Sequence, residues 1–169
     1  MKPVVGIIMG SDSDAPIMHE AGKMLQQFGV LYEIGVYSAH RSPHRTNEYV
    51  RSARERGLKV IIAGAGSSAH LAGVTAAETI LPVIGVPIDS SPLSGLDALL
   101  ATVQMPPGVP VSTMGVGKSG AINAAILAVE ILALSDEDLA RKLIDYKAQL
   151  EITVAEKSKK VASEIGPKA

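Results

Sequence analysis

The sequence predicts an α/β fold, a three-layer α/β/α sandwich built on a parallel five-stranded sheet. Five short β-rich apolar runs alternate with helical patterns, which is the order of a parallel sheet with crossover helices. Several of those runs are apolar along their whole length, as strands covered on both faces must be. Segments rich in Gly and Ser follow four of the runs, where strands hand over to helices.

The elements follow in order along the chain. Val4 to Met9 is the first strand; Gly10-Ser11-Asp12-Ser13-Asp14 breaks it, and Met18, Ala21, Met24, Leu25 and Phe28 then recur at helical spacing. Gly29 stops that helix. Leu31 to Tyr37 is the second strand, and Pro43 opens the next helix, where its fixed φ suits a first-turn position. Gly57 closes it. Leu58 to Ala63 is the third strand, bounded by Gly64-Ala65-Gly66-Ser67-Ser68 and followed by an Ala-rich helix from about Ala69 to Thr79. Leu81 to Val86 is the fourth, with Pro87 to Pro92 as its exit loop. A short helix near Gly95 to Val103 leads through MPPGVP to the fifth strand, Val111 to Met114, and then to an apolar helix from Ser119 to about Leu134. Ser135 with Glu137 and Asp138 marks the start of a last helix that runs to about Val161. The expected organisation is a single α/β domain over residues 1–169, with 135–161 as a C-terminal helical extension. The extension could lie on its own sheet or on a neighbouring subunit; five strands already have helices enough to cover them, so the neighbour is expected.

Composition excludes several function classes. The 169 residues are 47% hydrophobic and 20% charged with a formal net charge of −1, which gives no general pull toward nucleic acid or acidic membranes. An anionic ligand must therefore be held locally. There is no cysteine, so a disulfide framework, a thiolate nucleophile and a thiolate metal site are all excluded. The opening MKPVVGIIMGSDSD lacks the apolar core and cleavage region of a signal peptide, and no apolar run is long enough for a membrane-spanning helix. A cytoplasmic protein is the expectation. Aromatic residues make up only 3%, while Gly and Ala are plentiful, so the core must rely on aliphatic side chains and closely approaching backbones.

In parallel α/β sheets, ligands sit at the carboxyl ends of the strands, so GSDSD, SAHRSP, GAGSSAH and PIDSSPLSG are the loops to compare. In the first, Ser11, Ser13 and Asp14 either cap the helix that follows or, with Gly10 admitting a close approach, bind a phosphate at the helix end. Asp14 would repel that phosphate and fits better as an acceptor for ribose hydroxyls. In the second, His40 can give and retake a proton within one turnover, and Arg41 offers a fixed fork of donors to phosphate or carboxylate. The alternative for His40 is a helix-start histidine bonded to backbone. His70 follows the third loop, and the topology brings it near His40, where it could orient substrate, relay a proton or serve only as a polar helix end. His44 and Arg45 fall on the helix after SAHRSP and read as scaffold or subunit contacts. Two histidines one turn apart, His40 and His44, do not make a metal site without further ligands.

Two glycine patterns are set aside. GVGKSG at Gly115 to Gly120 matches G-x-G-x-x-G, but no βαβ unit with a ribose-binding acid continues from it. Nor is it a nucleoside triphosphate loop, because Ser112 stands where that loop requires glycine. Lys118 within it meets an anion or solvent.

Taken together, GSDSD, SAHR, AGAGSSAHLAG, LPVIGVP and LSGLDALLATVQMPPGVPV give the chain a resemblance, over almost its full length, to the N5-carboxyaminoimidazole ribonucleotide mutase family of purine synthesis. The resemblance implies a flavodoxin-like sheet and a homo-octamer whose last helix crosses onto a partner. It also implies conversion of N5-carboxyaminoimidazole ribonucleotide to 4-carboxy-5-aminoimidazole ribonucleotide without ATP, metal or organic cofactor. By the matched motifs, Ser11, Ser13, Ser38 and Arg41 resemble the phosphate-binding set and Asp14 the ribose acceptor, with Gly10, Ala39 and Leu71 also among the substrate-binding residues. His40 resembles the general acid and base, with His70 as a second catalytic residue. Gly64, Ala65, Gly66, Ser67 and Ser68 would then enclose carbon dioxide between its release and its recapture. A related branch uses free carbon dioxide and tends to carry lysine after the histidine; Arg41 and AHLAG place this chain with the mutases. Ser42, Ser67, Ser68 and Ala72 depart from the common mutase pattern, which usually has Thr, Gly, a small or sulfur-containing residue and Pro. A flavin- or nucleotide-binding module on the same sheet is the remaining alternative, disfavoured by the scarcity of aromatic side chains to stack a flavin ring.

Overall fold

The computed structural model describes residues 2–165. Met1 and residues 166–169, the outer ends of the expected domain, lie outside the described residues. Strands β1 (Val5–Met9), β2 (Tyr32–Val36), β3 (Val60–Gly66), β4 (Val83–Ile88) and β5 (Ser112–Thr113) form one sheet in the order β2-β1-β3-β4-β5, and every pairing is parallel. This is the flavodoxin-like order. The helices are α1 (Ala15–Phe28), α2 (Pro43–Arg56), α3 (Leu71–Glu78), α4 (Leu96–Val103), α5 (Lys118–Ala133) and α6 (Glu137–Ile165), with a 3-10 turn at Asp12–Asp14.

Right-handed crossovers decide which helix covers which face. The chain steps one way from β1 to β2 and the other way from β2 onward, so α1 lies on one face and α2, α3 and α4 lie on the other. Side-chain alternation along β1 agrees: Val5, Ile7 and Met9 join a core with Met18 and Leu25 of α1 and Ala124 and Ala128 of α5, while Ile8 joins Val50, Ala53, Leu71 and Ala72 of α2 and α3. The abundant small residues are used where α1 meets α5, through Ala21, Ala121, Ala124, Ala125 and Ala128, all of them fully buried. Within α1, Gly22 leaves room for the hydroxyl of Tyr32 on β2, which would lie 2.6 Å from a Cβ there.

Several boundaries differ from the sequence expectation, each for a local reason. The third and fourth strands continue to Gly66 and Ile88 because their ladder goes on through Gly64↔Val86, Ala65↔Pro87 and Gly66↔Ile88. Gly-rich and Pro-containing segments that read as loops are thus strand ends at the site. The fifth strand shrinks to two residues. The last helix extends to Ile165, beyond Val161, and its cap is Asp136 in place of Ser135: Oδ1 of Asp136 accepts from the N–H groups of Asp138 and Leu139 at 3.0 and 3.1 Å. Gly29 and Gly57 end α1 and α2 in the left-handed region, at φ of 75° and 103°.

The proximal part of α6 lies on its own chain. Leu139 and Leu143 are buried, the Tyr146 ring meets Phe28 edge-on at 5.4 Å, and Lys142 Nζ donates to the Phe28 carbonyl at 2.8 Å, at the negative end of α1. Farther along, Leu150, Ile152, Val154 and Val161 are exposed.

GVGKSG is a structural turn. Gly117 has φ 77°, and a Cβ on Gly120 would sit 1.7 Å from the Gly115 carbonyl oxygen, so backbone packs on backbone there. Lys118 pairs with Glu20 of α1 at 3.1 Å. Gly120→Ala is expected to destabilise the protein by about 2 kcal/mol, since a clash with backbone cannot relax as a flexible side chain would. Gly115→Ala, with no atom within 4 Å of the added Cβ, should stay within about 0.5 kcal/mol of the parent in denaturant unfolding. Equal effects would contradict this packing.

Candidate functional site

A cavity of about 440 Å³ opens at the carboxyl ends of β1 to β4, where the chain reverses its direction across the sheet. Gly10, Ala65 and Gly66 leave its floor with little side chain. The β1–β3 ladder ends at Met9↔Gly64 and continues one step as Gly10 N–H donating to the Gly64 carbonyl at 3.1 Å.

Loop one brings Gly10, Ser11, Ser13 and Asp14 to the wall. Ser11 and Asp14 form a capping box on the 3-10 turn: Ser11 Oγ accepts from Ser13 N–H at 3.4 Å, and Asp14 Oδ2 accepts from Ser11 N–H at 3.0 Å. Ser13 Oγ also donates to Ser11 Oγ at 3.0 Å. The capping reading of these residues therefore holds, and the same residues face the cavity. Asp14 is only 3% exposed, and burial pushes its carboxyl up from its ordinary value, against the pull of the Ser11 N–H and the Arg41 guanidinium.

Loop two adds Ser38, Ala39, His40 and Arg41. It is tied at its base by Thr46, a fully buried residue of α2 whose hydroxyl donates to the carbonyls of Ser38 and Ser42 at 3.1 and 3.0 Å. Ser38 Oγ accepts from Arg41 N–H at 3.1 Å, and Arg41 Nη2 donates to the Gly10 carbonyl at 2.9 Å, joining loops one and two. The remaining guanidinium donors stand close to the positive end of α1, so this pole of the cavity suits a phosphate.

Loop three contributes Ala65, Gly66, Ser67, Ser68 and Leu71. Ser67 has φ 52°, in the left-handed region that favours glycine. His70, at the N-cap of α3, meets His40 with Nδ1 to Nε2 at 2.8 Å and ring planes at 87°. The two rings share one proton along that line, and either can be its donor. Thirty positions separate them in sequence.

Two expected residues stand differently from the rest. Gly64 lies beneath the lining, where a Cβ would come within 2.2 Å of Met18 Sδ, so its part is to keep the floor flat. His70 reaches the cavity only through His40. Ser90, on the loop after β4, lines the cavity and was not singled out by sequence; its nearest signal was membership of PIDSSPLSG. His44 lies on the exposed side of α2 in a separate groove with Glu48 and Arg51. Arg45 donates to the Val36 carbonyl at 3.1 Å and covers the Tyr37 ring at 4.6 Å, a scaffold role. His19 is exposed on α1. Among the described residues, no group of three or more His, Asp or Glu side chains is placed to hold a metal ion.

The arrangement can bind an anionic group at the Arg41 pole, move a proton at its centre through the paired imidazoles, and offer hydroxyls at its far end. Comparison with known proteins agrees in fold and over most of the length. The AIR carboxylase family matches residues 4–153. The N5-carboxyaminoimidazole ribonucleotide mutase of Bacillus subtilis is 57% identical over 158 residues, 94% of this chain and 98% of that one. The enzyme of the same name from Pyrococcus abyssi is 58% identical over 149 residues, 88% of this chain and 84% of that one. The crystal structure of Treponema denticola PurE superposes with a TM-score of 0.82 at 26% identity, covering 98% of this chain and 100% of the other.

A buried Asp14 with a raised carboxyl binds its proton more tightly when folded than when unfolded. Its contribution to stability is therefore fully present below the ordinary carboxylate value and is lost as pH rises through the raised value of the folded state. Asp14→Asn keeps an acceptor for Ser11 N–H and removes the buried charge, so its melting temperature should exceed the parent's at pH 7. The gap should close as pH falls through the carboxylate range; a gap independent of pH would contradict the burial cost.

Proposed function

The chain belongs to the AIR carboxylase family, and from that premise we propose that it converts N5-carboxyaminoimidazole ribonucleotide to 4-carboxy-5-aminoimidazole ribonucleotide, an isomerisation of de novo purine biosynthesis. The observation that carries this reading is the His40–His70 pair at 2.8 Å, set between an anion-binding pole and a hydroxyl-bearing loop.

In this reading the phosphate sits at Arg41 with Ser11, Ser13 and Ser38, and Asp14 accepts from the ribose. The heterocycle then extends over the glycine floor toward loop three. His40 gives its proton to the carbamate nitrogen, the N–C bond breaks, and carbon dioxide and aminoimidazole ribonucleotide remain in the cavity. C4 attacks the carbon dioxide, forming the new C–C bond. The imidazole takes the C4 proton, so the catalyst is restored and no proton is gained or lost overall. His70 holds the His40 ring in orientation and exchanges the shared proton with it. Carbon dioxide has little for a protein to hold, so Ala65, Gly66, Ser67 and Ser68 act mainly by enclosing it and donating to the carboxylate as it forms.

The working form is a homo-oligomer, an octamer by the family resemblance, with the distal part of α6 laid on a neighbour. Large exposed apolar side chains support it: Leu96 and Leu100 of α4, and Ile144, Val154 and Val161 of α6. The substrate class fits a cytoplasmic enzyme.

Each imidazole ribonucleotide supplied separately tests the reaction. Turnover is expected with N5-carboxyaminoimidazole ribonucleotide at low bicarbonate; turnover only with aminoimidazole ribonucleotide at high bicarbonate would assign the carboxylase instead. His40→Asn should lower kcat by about a thousandfold with nucleotide affinity little changed, and His70→Asn should lower it less. Light scattering should give an octamer for the full chain, and a chain ended after Gln149 should give a smaller assembly. A monomer for the full chain would remove the subunit reading.

A further inference from the structure

We propose that Ser90 is a substrate-contacting residue of this reaction, donating its hydroxyl to the migrating carboxyl group. The proposal rests on the mutase reading above and adds a residue to it.

Ser90 lies two positions beyond the end of β4 and lines the same cavity as His40. A Cβ built on Gly66 would stand 1.8 Å from Ser90 Oγ and 3.1 Å from the Ile88 carbonyl oxygen. The serine hydroxyl thus occupies the place a side chain at Gly66 would take, directly over the end of β3. Gly66 is needed as glycine to admit that hydroxyl as much as to admit a ligand.

The hydroxyls of this cavity fall into two groups. At the Arg41 pole, Ser11, Ser13 and Ser38 already hold partners: Ser11 Oγ donates to Asp12 at 3.1 Å, Ser13 Oγ donates to Ser11, and Ser38 Oγ receives Arg41 N–H. At the other end, the hydroxyls of Ser67, Ser68 and Ser90 make no hydrogen bond among the described residues. Strand order places the loop after β4 farthest of the four from the loop after β2 that carries Arg41. A ribonucleotide anchored by its phosphate at Arg41 directs its heterocycle toward Ser90. The carboxyl group is the other anion on that ligand, and it needs a donor where the charge is lost and regained. Ser90 is built into the wall by its fit over Gly66, whereas Ser67 and Ser68 sit on the loop that carries the left-handed kink.

Calorimetry on the full chain and on Ser90→Ala tests this with two probes, 4-carboxy-5-aminoimidazole ribonucleotide and aminoimidazole ribonucleotide, which differ only by the carboxyl group. For S90A, affinity for the carboxylated probe should fall about tenfold while that for the uncarboxylated probe stays within about twofold, as expected for one lost bond to a charged group. Turnover of N5-carboxyaminoimidazole ribonucleotide by S90A should release a larger share of aminoimidazole ribonucleotide, and its melting temperature should match the parent's. An equal loss for both probes, or none for either, would overturn the role of Ser90. Failure of the parent protein to turn over N5-carboxyaminoimidazole ribonucleotide would instead overturn the mutase reading.

Discussion

The site depends on one rung of hydrogen bonding beyond the regular β1–β3 ladder, where Gly10 N–H donates to the Gly64 carbonyl at 3.1 Å. That bond holds loops one and three together just where the chain reverses its course across the sheet. Beside it, Gly64 and Gly66 are held to glycine by their neighbours. Met18 fills the space below Gly64, and Ser90 fills the space beside Gly66, so neither glycine can carry a Cβ without moving a neighbour. With the floor fixed, α1 presents its N-terminus from one face of the sheet, while α2 and α3 bring His40 and His70 from the other.

Function competes with stability in this cavity. Asp14 is nearly fully buried and its carboxyl is pushed upward by that burial, yet it closes the capping box on which loop one depends. Arg41 compensates in part, and its bond to the Gly10 carbonyl fixes the guanidinium between the two loops. The acid is therefore held by the same groups that line the Arg41 end of the cavity. A ligand hydroxyl that donates to Asp14 would add to the Ser11 N–H that its carboxylate already accepts.

Much of this was legible in the sequence because helices and parallel strands write their periods plainly. Met18, Ala21, Leu25 and Phe28 mark the buried face of α1, and Gly29 and Gly57 mark helix ends by a backbone need that glycine meets. What was missed depends on pairing. Gly64 to Gly66 and Pro87 read as loop because their propensities are poor for strands, but a ladder between two central strands overrides propensity. Ser135 reads as a cap by residue type, and only the backbone shows Asp136 in its place. Ser90 carries no sequence signal of its own; its significance comes from Gly66, 24 positions earlier, being the residue it rests on. The approach of His70 to His40, by contrast, was expected from the order of the strands; only its 2.8 Å contact needed the structure.

That meeting requires loop three to turn more tightly than an ordinary strand-to-helix connection. Ala69 N–H donates to the Ser67 carbonyl at 2.9 Å and His70 N–H donates to the Ser68 carbonyl at 2.8 Å, two successive three-residue turns. The first is entered through Ser67 at φ 52°, a conformation that costs a non-glycine residue about 1 to 2 kcal/mol. Ala69, buried at 2% exposure, anchors the turn from below, and Leu71 begins α3 at once. A relaxed loop would lengthen the path and carry His70 away from the 2.8 Å contact. The strain at Ser67 is thus offset by buried packing at Ala69 and Leu71, and what it maintains is the position of the second imidazole.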